Sequence, residues 1–138
     1  MNPYLRTEEV GNMASAISTF PRVRAKLVEL QKSLAAKSDC IMDGRDIGTC
    51  VLPNAQVKVY LTASSLVRAK RRYDELTAKG EVCDLAKIQA DIEERDYRDM
   101  HREHSPLCQA EDAVLVDSSD MSIDEVITAI LGLCEKRQ

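Results

Sequence analysis

Three short apolar runs constrain this chain more than any other feature. Cys40-Ile41-Met42 opens into Asp43-Gly44-Arg45-Asp46, Val57-Lys58-Val59-Tyr60-Leu61 passes into Thr62 and Ser64, and Ala113-Val114-Leu115-Val116 ends at Asp117-Ser118-Ser119. Each run is too short to bury a helix and has the length and branching of a strand. Helix-patterned stretches lie before, between and after them. Strands separated by helices pair in parallel, so the expected class is α/β with a parallel sheet. Such sheets carry their chemistry beyond the carboxyl ends of the strands, which here singles out Asp43, Arg45, Asp46 and Asp117-Ser118. Three strands make a small sheet for a doubly wound fold.

The helices have readable ends. Thr7 before Glu8 and Glu9 predicts a start, with acids at the positive end of the dipole, and Val10, Met13, Ala14 and Ile17 recur at helical spacing. Pro21 suits the first turn of a second helix, whose apolar stripe is Val23, Leu27, Leu30 and Leu34. After the second run, Leu66, Ala69, Tyr73 and Leu76 mark a helix closed by Gly80. Asp84 caps another, running towards His104 and followed by Pro106. Ser122 and Glu125 form a capping box for a last helix, with Val126, Ile127, Ile130 and Leu131 expected inward.

Composition narrows the function classes. The 138 residues suit one domain, and 44% hydrophobic with 30% charged residues describes an ordinary packed chain. No apolar run approaches the length of a membrane span, and Met1 to Arg6 read without the apolar stretch of a secretory leader, so a cytoplasmic setting is expected. A net charge of −4, one Phe and no Trp argue against a binder of nucleic-acid polymers. Five cysteines, at 40, 50, 83, 108 and 134, form no C-x-x-C pair and are expected as reduced thiols. His101, His104 and Cys108 lack a fourth ligand at suitable spacing, so no metal site is expected. Arg outnumbers Lys, 11 to 8, and Arg suits forked contacts to phosphates and base edges.

Two motifs concentrate the polar chemistry. In Asp43-Gly44-Arg45-Asp46-Ile47-Gly48-Thr49, the glycines permit a tight turn, and Arg45 between two carboxylates is expected to be held extended towards a phosphate. The same residues could equally tie down a loop. In the segment from Glu94 to Arg102, Arg95, Arg98, Asp99 and Arg102 share one helical face that continues the apolar Ile88 and Ile92. A solvated helix laced with Asp–Arg pairs is the competing reading. Ser15, Arg24 and Arg71-Arg72 are weaker candidates, each as compatible with plain surface.

Together these stretches resemble the bacterial cytidylate kinases. The match includes Asp43-Gly44-Arg45-Asp46-Ile47-Gly48-Thr49, Val57 to Leu61 with Thr62-Ala63-Ser64, and Glu94-Arg95-Asp96-Tyr97-Arg98-Asp99. Phe20-Pro21-Arg22-Val23-Arg24, Ser105-Pro106-Leu107 and Val116-Asp117-Ser118-Ser119 with Met121-Ser122-Ile123 match as well. The resemblance implies a P-loop nucleoside monophosphate kinase fold, with a parallel core, a domain gripping CMP or dCMP, and an Arg-rich lid. It divides the single domain 1–138 into nucleotide-binding helices (1–38), core (39–80), lid (81–108) and core (109–138). It implies that Ser15, Arg24 and Arg102 read the cytosine edge and that Arg95 and Asp99 address the sugar hydroxyls. Arg45, beside Asp43 and Asp46, would hold the monophosphate, and Arg98 and Arg72 would approach the transferring phosphoryl group. Arg45, Asp46 and Arg98 are the catalytic expectation.

One departure is large. The family's G-x-x-x-x-G-K-[ST] loop has no counterpart among the glycines at 11, 44, 48, 80 and 132. The chain is therefore expected to be an incomplete, C-terminal portion of that fold, inactive alone. Mg2+ would come with ATP only where the P-loop portion is supplied, and none is expected on this chain. A missing central strand would leave free sheet edges and an uncovered apolar face, which invite self-association. A non-catalytic pyrimidine-nucleotide-binding module, or a structural and interaction role, are the alternative functions.

Overall fold

Local capping chemistry sets the helix boundaries. The computed structural model describes residues 7–136, with the side chains of Glu8, Asn12 and Ser15 outside that description, as is the leader-free start expected for Met1 to Arg6. Thr7 caps α1 (Glu8–Ile17), its side chain accepting from the Val10 N–H at 3.4 Å. Pro21 then sits at the first position of α2 (Pro21–Ala35), where its missing N–H would have had no helical partner. Ser64 caps α3 (Ser65–Ala78), and Gly80 beyond its end takes φ +81°, a left-handed conformation that glycine adopts without strain. Asp84 caps α4 (Leu85–His101), accepting from the Lys87 N–H at 2.8 Å. The capping box Ser122–Glu125 forms in full at the start of α5 (Ile123–Glu135).

Two of the three expected strands form. β1 (Val59–Thr62) and β2 (Val114–Asp117) pair in parallel, with Val59 opposite Val114 and Thr62 opposite Asp117. The α/β class with a parallel sheet therefore holds, on two strands among the described residues. Residues 40–42 are a correction. They are not in a strand, and Ile41, expected to be buried, is 99% exposed. A strand needs a neighbour for its backbone N–H and C=O groups, and among the described residues β1 and β2 pair only with each other. Residues 40–42 have no regular structure, and further on the chain makes a π-helical turn, Ile47–Val51, which packs against α2.

The apolar core is thin. Val51, Ala63, Ala69 and Val116 are its buried members among the described residues. On α5, Ile127 and Leu131 are exposed rather than inward, while Val126 and Ile130 are half-buried. Leu61 and Leu115, on the two strands, are also exposed. Much of the cohesion is polar instead. The Lys58 ammonium is buried between the Pro53 carbonyl and Asp112, the latter 2.8 Å away, tying the loop before β1 to the turn before β2. The α3 and α4 helices pack together as a hairpin, crossed by an Arg68–Asp96 pair. This hairpin carries the Arg-rich end of α4 back towards the start of α2. No helix among the described residues is long and apolar enough to cross a membrane.

Candidate functional site

The site is assembled around two carboxylates. Asp46 ends the glycine-containing loop and begins the π-helical turn, its carbonyl accepting from the Cys50 N–H at 2.8 Å and the Val51 N–H at 3.2 Å. That double acceptance fixes the backbone, so the carboxylate projects from a rigid point. It pairs with the Arg24 guanidinium, offered from the first turn of α2, and both side chains are largely buried. Gly44 leaves room for Ile47 nearby: a Cβ there would lie 2.8 Å from Ile47 Cγ1, so that side chain would have to shift.

Asp99 is the second centre. Its buried carboxylate lies 3.1 Å from Arg45 Nε, 3.7 Å from Arg102 Nη1 and 4.0 Å from Arg95 Nε. Arg95, Asp99 and Arg102 share a helical stripe, so α4 presents them together, while Arg45 arrives from a loop 54 residues earlier. The end of α4 is locked by its own outgoing chain. The Leu107 N–H donates to the Asp99 carbonyl at 2.8 Å, and Arg102 Nε donates to the Ser105 carbonyl at 2.6 Å. The return passes through Ser105 at φ +51°, a conformation uncommon for a residue with a Cβ.

Between these centres lies a cleft of about 280 Å³, lined by Arg24, Arg45, Asp46, Arg95, Asp99 and Arg102 together with Gly11, Ala14, Ser18 and Gly44. Four guanidiniums face two carboxylates, an excess of positive charge. Two buried donors on this lining, Arg24 Nε and Arg102 Nη2, have no hydrogen-bond partner among the described residues. Burial, and next the Arg24 charge, push the Arg102 guanidinium below its ordinary basicity. An arginine still keeps its proton at neutral pH, so the cleft holds a cation short of acceptors. Leaving a buried donor unmet costs about 1–3 kcal/mol, which an anionic or carbonyl-bearing ligand would offset.

The family model for cytidylate kinase matches residues 1–136. The chain belongs to the cytidylate kinase family. It is 52% identical to the cytidylate kinase of Lactiplantibacillus plantarum over 97% of this chain and 59% of that protein. For the cytidylate kinases of Lactobacillus johnsonii and Streptococcus pneumoniae, the identities are 49% and 51%, over 97% and 96% of this chain and 58% and 60% of theirs. The chain thus spans about three-fifths of the length of the curated relatives it matches. Its helices and small parallel sheet are part of the nucleoside monophosphate kinase α/β fold.

Six of the residues that the cytidylate kinase motifs single out line this one cleft: Arg24, Arg45, Asp46, Arg95, Asp99 and Arg102. Others stand apart from its lining. Asp43 is exposed on the loop. Arg98 points along the exposed side of α4, 3.8 Å from Glu94, and Arg72 pairs with Glu75 on α3 at 2.9 Å. The side chain of Ser15 lies outside the described residues, although Gly11, Ala14 and Ser18 of the same segment reach the cleft. The strand-end pair Asp117-Ser118 also falls elsewhere. Asp117 accepts from Ser119, whose hydroxyl lowers its pKa, and Ser118 bonds the Thr62 carbonyl and Arg71.

One expected partnership is corrected. Arg45 is not held by its sequence neighbours Asp43 and Asp46. Asp46 is engaged by Arg24, and the carboxylate that orients Arg45 is Asp99. Adjacent side chains in a tight loop diverge, so charge alternation along the sequence says little about pairing in space. Four residues support the site in roles that local sequence does not show: Ser105, Leu107, Arg68 and Asp96. Pro106 was a signal that the chain turns there, but nothing local connects Leu107 to Asp99.

Proposed function

We propose that this chain carries the nucleoside monophosphate side of a cytidylate kinase and binds CMP or dCMP in the cleft between α2, the Asp46 loop and the end of α4. The two buried, unpartnered donors Arg24 Nε and Arg102 Nη2 carry this reading. Cytosine presents two acceptors and one amino donor, so a pair of guanidiniums with the Ser15 hydroxyl complements its edge. Arg95 and Asp99 address the sugar hydroxyls, and Arg45, oriented by Asp99, holds the monophosphate. The excess of arginine over carboxylate in the lining favours a dianionic ligand. Arg98 and Arg72, outside the cleft here, belong to the approach of the transferring group, and residues 81–108 act as the lid that brings Arg98 in.

In the complete reaction a phosphoryl group passes from ATP, with its Mg2+, to the CMP phosphate. That transfer depends on positioning and charge neutralisation around the triphosphate. The residues present do not fit that group: there is no G-x-x-x-x-G-K-[ST] loop in the 138 residues, and among the described residues no three His, Cys, Asp or Glu side chains gather to hold a metal. The proposed role of this chain is therefore nucleotide capture in the cytoplasm, with negligible turnover by itself. The outer edges of β1 and β2, unpaired among the described residues, favour self-association of the isolated chain.

Calorimetric titration with CMP tests the reading. The 138-residue chain binds CMP, and Arg102→Ala weakens binding roughly tenfold to a hundredfold, as expected for a lost charge-assisted hydrogen bond. No heat with the unmodified chain overturns it. Turnover of CMP and ATP by this chain at an ordinary kinase rate would overturn the inactivity.

A further inference from the structure

Arg68 has no place in the cleft, yet each of its three guanidinium nitrogens has a partner. Its Nη1 and Nη2 meet the two oxygens of Asp96 at 3.0 and 2.5 Å, a forked pair across the α3–α4 hairpin. Its Nε donates to the Ala63 carbonyl at 3.0 Å, the residue that joins the end of β1 to α3. All three nitrogens are thus committed to fixed partners, and the hydrogen bond donated to Asp96 raises the Arg68 pKa against the opposing effect of burial. A second link lies one turn back along α4, where the Glu93 carboxylate accepts from Ser65 at 2.7 Å and from Gln89 at 2.9 Å.

Asp96 stands one residue after Arg95, about 100° further around the helix. Its carboxylate meets Arg68 on α3, while Arg95, Asp99 and Arg102 line the cleft. The backbone of α4 is held on one side by Arg68, and through Arg68 by the strand-end carbonyl of Ala63. On the adjoining face it offers Arg95, Asp99 and Arg102. A bidentate guanidinium–carboxylate pair is directional, unlike an ordinary surface ion pair, so it sets the rotation and axial position of the helix as well as its distance. Neighbouring pairs on α3 lack this reach. Arg72–Glu75 and Lys79–Glu75 stay within one helix and fix nothing across the hairpin.

We propose that Arg68 and Asp96 are positioning residues for the nucleotide cleft, referencing the Arg95–Asp99–Arg102 face of α4 to the carboxyl end of β1. The consequence for ligand affinity rests on the reading of the cleft as a CMP site; the geometric consequence does not. A small rotation of α4 would separate Asp99 from Arg45 and move Arg102 relative to Arg24, while leaving the helices formed.

The test compares Arg68→Lys and Asp96→Asn with Glu75→Gln, which removes the intrahelical pairs of α3. Nitrogen-15 spectra of the arginine Nε–H groups report Arg45 against Asp99 and Arg102 against the Ser105 carbonyl without any ligand. Calorimetry with CMP reports the cleft, and thermal unfolding reports the fold. The expected result is shifted or broadened Arg45 and Arg102 Nε–H signals in both clamp variants. CMP affinity falls about tenfold, and Glu75→Gln behaves as the unmodified chain. Unchanged Arg45 and Arg102 signals in the clamp variants overturn the proposal. So does a loss of affinity that Glu75→Gln reproduces at equal loss of thermal stability. If the unmodified chain takes up no CMP, the functional reading falls, and the ligand-free spectra still decide the clamp.

Discussion

The Arg24–Asp46 pair is a wall with a different cleft on each side. On one side lies the guanidinium-lined cleft closed by Asp99 and Arg102. On the other lies a groove of about 340 Å³ along α2, formed by Leu27, Val28, Leu30, Gln31 and Leu34 with the same Arg24 and Asp46. The first draws on four separated stretches of chain and is locked by ion pairs whose partners are 22 and 54 residues apart. The second is mostly one face of one helix, and its leucines stay about half-exposed: Leu27 at 47%, Leu30 at 49% and Leu34 at 60%. A cluster of charges is satisfied only at defined distances and angles, so it specifies a shape. An apolar stripe requires only to be covered, and its burial energy is non-directional. The polar cleft therefore carries the geometry, and the groove tolerates change.

Asp99→Ala is the strongest way to break that contrast. It leaves Arg45, Arg95 and Arg102 facing one another without their shared carboxylate, the kind of loss that costs about 3 kcal/mol at the lower end for a buried pair. The half-exposed Arg45 and Arg95 keep access to water, which holds the value at that end. A denaturant titration checks it, and an unchanged midpoint would mean the ion pairs do not organise the cleft. Leu30→Gln on the groove should move the same midpoint by no more than about 0.5 kcal/mol, with CMP affinity unaltered. A loss as large as that of Asp99→Ala would erase the distinction between the two sides.

The smallest effect lies outside both clefts. The Ser122 backbone N–H and hydroxyl hold the Glu125 carboxyl below its ordinary value, and the Lys79 and Arg72 side chains do the same for Glu75. A carboxyl with a lowered folded pKa adds stability above its unfolded value of about 4.3, and that contribution fades as pH falls through the folded value. The stability gap between the unmodified chain and Glu125→Gln should therefore be steady near neutrality and close below about pH 4. A gap that widens in acid would reverse the assigned sign.

Much of the local structure was legible from single residues. Thr7, Ser64, Asp84 and Ser122 each start a helix because their side chains satisfy N–H groups that the first turn leaves free, a short-range demand visible in four residues of sequence. Val59 to Thr62 and Val114 to Asp117 follow their branched residues in the same way, within one or two positions. Residues 40–42 have the same apolar character and do not form a strand, because pairing depends on a neighbour that local sequence cannot supply. The stripe on α4 was legible as a face, but its burial was not. Asp99 and Arg102 are enclosed, while Arg95 is half-exposed and Arg98 is turned away to Glu94.

The sequence by itself determined the helix ends, the parallel α/β class and, through its motifs, the cytidylate kinase family. Each of these depends on residues close together or on a pattern of identities in order. Tertiary structure alone decided which charges meet: Arg45 with Asp99, Arg24 with Asp46, and Arg68 with Asp96 across the hairpin. Coulombic and hydrogen-bonding partners are chosen by distance and angle after the helices have packed, and those quantities are set by the whole fold rather than by spacing along the chain.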